Sequence, residues 1–151
     1  MKIIEVVNAL ERFAPLPLQE DYDNAGLQIG LTEAEISGAL LCLDVTEETV
    51  DEAIRKGCNL IVSHHPLIFR RLRRIAGEDM VQRVVAKAIV NHIVIVSMHT
   101  NMDAAQGGVN FKIAEKMGLC HVGFIGKTRQ VEAHGASADA DAMVAGGEGV
   151  M

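Results

Sequence analysis

The chain has 151 residues, 49% hydrophobic and 23% charged, which is the composition of a soluble globular protein with room for one buried core. A formal net charge of −6 argues against broad contact with nucleic acid or anionic lipid, and one Tyr, four Phe and no Trp leave few platforms for stacking bases. No apolar run approaches the roughly 18 residues that cross a bilayer, and Glu5 interrupts the N-terminal apolar stretch before a secretory pattern develops, so a cytoplasmic protein is expected.

Residues 3–14 place Ile3, Val6, Val7, Leu10, Phe13 and Ala14 at helical spacing, and Pro15 and Pro17 end the helix. Glu20-Asp-Tyr-Asp-Asn-Ala-Gly-Leu-Gln-Ile-Gly30 follows as a loop with a short apolar exit. Gly26 and Gly30 are candidates for positive φ, and Asp23 or Asn24 is either part of a surface turn or a group that orients substrate or water.

Ala39-Leu-Leu-Cys-Leu-Asp-Val45 reads as a buried strand running into an acid. Thr46 as cap, with Glu47 and Glu48 in the first turn, starts a helix in which Val50, Ala53 and Ile54 face inward and Gly57 closes the end. The next apolar run, Leu60-Ile-Val, delivers Ser63, His64, His65 and then Pro66. Strand, helix and strand make a βαβ unit with parallel strands.

Successive side chains of an extended backbone leave opposite faces, and Pro66 holds His65 extended. On that geometry His64 and His65 do not easily chelate one ion together; they serve two neighbouring ions, or one ion and the groups behind it. The bland alternative is one packed and one solvated histidine. Imidazole suits Zn, Fe, Mn or Ni, and paired metals are a recurring hydrolytic device.

Beyond Pro66, Arg70, Arg71, Arg73 and Arg74 put four cations in five residues. They form either a solvated loop or a clamp for phosphate beside the metals. Residues 78–91 predict a helix burying Met80, Val81, Val84, Val85, Ala88 and Ile89. A third strand, His92–Met98, ends in His99-Thr-Asn-Met-Asp103, and a glycine turn at Gly107 and Gly108 leads into a helix over 109–117 with Val109, Phe111, Ile113, Ala114 and Met117 on its apolar side, closed by Gly118.

Three apolar strands therefore end in ligand-type residues: Asp44, His64 with His65, and His99 with Asp103. In open α/β sheets, sites form at the carboxyl ends of the strands, so these groups are expected to converge, with Asp103 able to bridge two ions. Cys42, Cys58 and Cys120 lie far apart without a C-x-x-C pair, so they are expected as reduced core residues. From about Val131 the Ala-, Gly- and Asp-rich sequence loses its period. The expected organisation is an α/β metal-binding domain over 1–130 and a tail over 131–151, either disordered or the start of a further part; His134, Asp139 and Asp141 are weak metal candidates within it.

Three segments together, Asp23-Asn-Ala-Gly-Leu-Gln-Ile-Gly30, Ser63-His-His-Pro-Leu-Ile-Phe69 and His99-Thr-Asn-Met-Asp-Ala-Ala-Gln-Gly-Gly-Val-Asn110, resemble the NIF-three-like dinuclear-metal family, also labelled GTP cyclohydrolase I type 2 homologues. The likeness covers roughly residues 1–126. It implies an α/β fold of βαβ type with a mixed or mostly parallel sheet flanked by helices, forming half of a duplicated two-lobe architecture. It also implies a homohexameric ring and two divalent ions per complete site. By motif, His64, His65 and Asp103 match metal ligands, and His99 is a candidate proton carrier.

Members of the family also place a His-x-x-x-Glu pair near the C terminus, and no histidine here is followed four positions later by glutamate. The expectation is a shortened chain with half of the ligand set. The function implied is a metal-dependent hydrolase acting on a nucleotide-like substrate, with Arg70, Arg71, Arg73 and Arg74 holding phosphates. The alternative is a non-catalytic, oligomeric metal-binding scaffold or regulatory protein.

Overall fold

The computed structural model describes residues 1–126, 128–132 and 143–147. They divide into two compact units. The first comprises Met1–Val7 and Asn24–His99; the second comprises Asn8–Asp23 with the described residues from Thr100 onward.

In the first unit a four-stranded sheet is built from β1 (Gly26–Ile29), β2 (Ala39–Cys42), β3 (Leu60–Ser63) and β4 (Val94–Ser97), in the order β1-β4-β3-β2. β2, β3 and β4 run parallel in register, with Cys42 opposite Ser63 and Ser63 opposite Ser97, whereas β1 pairs antiparallel to β4. The mixed α/β sheet matches the expected class. Helices α2 (Glu47–Lys56) and α3 (Met80–Val90) make the crossovers between the parallel strands. The core gathers Ile29, Val45, Val50, Ala53, Ile61, Val84, Val85, Ala88, Ile93 and Ile95, so central strands are apolar on both faces and the helices contribute one stripe each.

Local chemistry sets the ends of these elements. Thr46 and Thr49 form a reciprocal cap at the start of α2, and Gly57 closes it in the left-handed region at φ 69°. Asp79 caps α3 by accepting from the Gln82 amide at 2.8 Å. Gly30, at φ 104°, leaves β1 where a Cβ would stand 2.8 Å from the Val94 side chain and 3.0 Å from its Cα, so both conformation and space require glycine there.

In the second unit, a 3-10 turn over Leu16–Leu18, the short helix α4 (Thr100–Ala104) and α5 (Val109–Lys116) accompany an antiparallel pair, β5 (Thr128–Glu132) and β6 (Met143–Gly147). The fully buried Asn101 donates to the Ala14 carbonyl at 2.7 Å. The longer helix α1 (Ile3–Phe13) begins among residues of the first unit and ends among those of the second. Among the described residues no helix is long and apolar enough to cross a membrane.

Several expectations need correction. The third strand is shorter than His92–Met98, because His92 takes a left-handed turn at φ 55° and β4 begins at Val94. Phe13, Ile54, Met80, Ile89, Ile113 and Met117 are exposed, because each helix buries a narrower stripe than its apolar pattern suggested. Gln82 is buried in α3 instead, since its side-chain oxygen accepts from the Ala76 amide at 2.9 Å and its nitrogen donates to Asp79. Cys120 is exposed, and Cys42 and Cys58 are half-buried. Within the patternless 131–151 stretch, residues 131, 132 and 143–147 belong to β5 and β6. His134, Asp139 and Asp141 lie outside the described residues.

Candidate metal centre

The parallel ladder continues past the strand ends. The His64 amide donates to the Cys42 carbonyl at 3.1 Å, the His65 amide to Leu43 at 3.0 Å, and the Met98 amide to Ser63 at 2.8 Å. Side-chain alternation, however, stops with β3 at Ser63. The imidazoles of His64 and His65 therefore do not diverge: their ring centroids lie 5.0 Å apart, and His99, two residues past β4, brings its ring to 5.2 Å from His64 and 5.6 Å from His65.

One ligand nitrogen from each of the three histidines lies within 4.8 Å of the others. The expectation that His64 and His65 would point apart does not describe these rings, which follow the end of β3 in a bend of the chain.

Hydrogen bonds set the tautomer of two of the rings. His64 Nδ1 stands 2.9 Å from the Met98 carbonyl and His65 Nδ1 stands 2.8 Å from Asp44 Oδ1. A carbonyl or carboxylate oxygen only accepts, so each Nδ1 carries the proton, and the lone pair of the neutral ring sits on Nε2. Imidazole nitrogens with an engaged opposite edge are the usual donors for a borderline divalent ion. On the chemistry of the donor set, this cluster fits such an ion.

Cys42, opposite Ser63 on β2, has its thiol pushed above the ordinary range by burial and then by the Asp44 carboxylate.

The remaining predicted residues fall as follows. Asp103 lies in α4, in the second unit, where its main-chain carbonyl accepts from the Asn110 side chain at 3.0 Å. Asp23, one of the two residues weighed for orienting substrate, instead binds the start of α4: its carboxylate accepts from the Thr100 amide at 3.1 Å and from the Thr100 hydroxyl. Asn24 donates to the Ile68 carbonyl at 2.6 Å.

Arg70, Arg71, Arg73 and Arg74 are all exposed. Arg70 and Arg71 line a surface cavity of about 330 Å³ with Leu67, Phe69, Leu72, Asp79 and Val81, whereas Arg74 pairs with Glu78 at 3.5 Å. Two residues that sequence reasoning passed over are Ser63 and Ser97, both buried behind the histidines. A signal was present: Ile-Val-Ser recurs at the carboxyl ends of both strands, Ile61–Ser63 and Ile95–Ser97, in register.

A family model described as Duf34/NIF3 (NGG1p interacting factor 3) matches residues 1–147. The chain belongs to this family. Curated Duf34/NIF3 relatives include a GTP cyclohydrolase 1 type 2 homolog of Clostridium acetobutylicum, 37% identical over 119 residues, which cover 79% of this chain and 44% of the relative. Another, from Staphylococcus aureus, is 39% identical over 131 residues, covering 87% and 36%. Among solved structures, a Bacillus cereus protein related to NIF3 aligns with TM-score 0.80 at 40% identity, over 87% of this chain and 36% of that one. Reduced HcgD from Methanocaldococcus jannaschii aligns with TM-score 0.76 at 29% identity, over 90% and 56%. The chain spans less than half the length of these curated relatives.

Proposed function

We propose that His64, His65 and His99 together hold a divalent transition metal, and that the chain takes part in metal-dependent hydrolysis of a nucleotide-like substrate. The observation that carries the reading is the approach of three imidazole ligand nitrogens to within 4.8 Å of one another at the carboxyl ends of two parallel strands. The names of the relatives, GTP cyclohydrolase 1 type 2 homologs, support a nucleotide as the substrate class.

A bound divalent ion supplies Lewis acidity to such a site. The chain's own part is to present Nε2 of His64 and His65, with Nδ1 of each ring held by Met98 and Asp44. Arg70 and Arg71, at the rim of their cavity, bind phosphate oxygens by charge-assisted hydrogen bonds; Arg73 and Arg74 add positive potential nearby. In this reading His99 is a ligand. The arrangement implied by resemblance has two ions in a complete site, with Asp103 bridging them and His99 carrying a proton; the present reading assigns this chain one ion, with His99 as a ligand.

Elemental analysis of the full chain tests the metal. The wild type is expected to retain one equivalent after dialysis against zinc, and the double variant His64→Ala, His65→Ala to lose it while keeping its circular dichroism spectrum. Unchanged metal content in the variant contradicts the reading. Turnover is tested on a nucleotide panel with and without metal; no metal-dependent product from any nucleotide contradicts the hydrolytic part.

A further inference from the structure

Behind the three imidazoles stands a set of polar groups whose protons can be counted. His65 is held at both ends: its ring by Asp44, and its main-chain carbonyl by Ser63 Oγ at 2.9 Å. Ser97 Oγ lies 2.8 Å from Ser63 Oγ and 3.4 Å from the same carbonyl. Each hydroxyl has one proton. The two short contacts use both of them if Ser97 donates to Ser63 and Ser63 donates to His65, a relay that satisfies both groups. Ser63 is 2% exposed and Ser97 is fully buried, so both hydroxyls depend on partners inside the protein, and the shorter contacts favour this direction over the reverse one through the 3.4 Å contact.

Building on the metal-site reading above, we propose that Asp44 and the Ser63–Ser97 pair are positioning residues that set the histidines in a metal-ready arrangement before any ion arrives. Asp44 selects the Nδ1-protonated form of His65 and fixes its ring; the serine pair fixes the backbone from which that ring projects. A purely stabilising role is a poor account of the Asp44–His65 contact. The two side chains are 62% and 46% exposed, and ion pairs in water contribute little to folding. What such a contact does well is orient an imidazole and leave its far nitrogen bare.

The test uses the full chain, first stripped of metal and then titrated. Long-range proton–nitrogen NMR of the ion-free protein reports which nitrogen of each ring carries the proton, and competition with a chelating dye reports zinc affinity. In the wild type, His65 is expected to be protonated at Nδ1. Asp44→Ala is expected to lose that preference and to bind zinc roughly 10- to 100-fold more weakly. Asp44→Asn, whose side-chain oxygen still accepts a hydrogen bond, is expected to restore the tautomer and most of the affinity. Ser63→Ala is expected to weaken zinc binding while leaving the His65 tautomer in place.

If Asp44→Ala leaves both tautomer and affinity unchanged, Asp44 does not position His65 and the proposal is overturned. Unchanged zinc affinity in Ser63→Ala overturns the serine part. Should the wild type bind no zinc, the metal-site reading fails, while the ion-free spectra still decide whether Asp44 orients the ring.

Discussion

Gly30 illustrates how a single residue can be required on two counts. Its φ of 104° is a conformation that L side chains rarely adopt, and an added Cβ would press on the backbone and side chain of Val94 in the neighbouring strand. Gly30→Ala is expected to lower stability by about 1–3 kcal/mol, read as a fall in the urea midpoint; an unchanged midpoint contradicts the packing described here. The need for glycine was legible in the sequence, because a glycine after an apolar exit marks a positive-φ turn. The left-handed backbone at His92 was not, because a histidine carries no such signal. The histidine pair was legible as chemistry but not as geometry: period-two alternation holds only while the backbone stays in a strand, and β3 stops one residue short of His64.

Among the elements, α2 and α3 carry their own instructions. Asp79 accepts from the Gln82 amide at 2.8 Å and from its side chain at 3.0 Å, which secures both the start of α3 and the buried Gln82 that ties down residues 76 and 78. Asp79→Ala is expected to destabilise the protein by about 1–2 kcal/mol, measured by thermal or urea unfolding; a loss indistinguishable from zero would show that the cap is dispensable. The βαβ units were legible because caps, apolar runs and glycine stops lie close together along the chain. The short helix α4 was not, because its start is held by Asp23, which stands 77 positions away. Nor were β5 and β6: β5 is a mostly polar run, β6 lies in an Ala- and Gly-rich sequence that has no apolar period, and their register comes from the partner strand.

For the whole chain, membership of the Duf34/NIF3 family and the α/β class agree with motifs readable from residues 23–30, 63–69 and 99–110. The site was legible as residue types at strand ends, and Asp44, His64, His65 and His99 were all in view as ligand types. Their convergence at the strand ends was expected; how each ring is held was not, since that depends on where each strand stops and on hydrogen bonds to Met98, Ser63 and Ser97 that a linear pattern does not encode. The central claim is that three imidazoles share one ion, and X-ray absorption at the zinc edge tests it most directly. The zinc-loaded chain is expected to show three histidine nitrogens at about 2.0–2.1 Å, falling to two in His99→Ala. Zinc bound with no imidazole scattering, or a spectrum that His99→Ala leaves unaltered, would contradict the account.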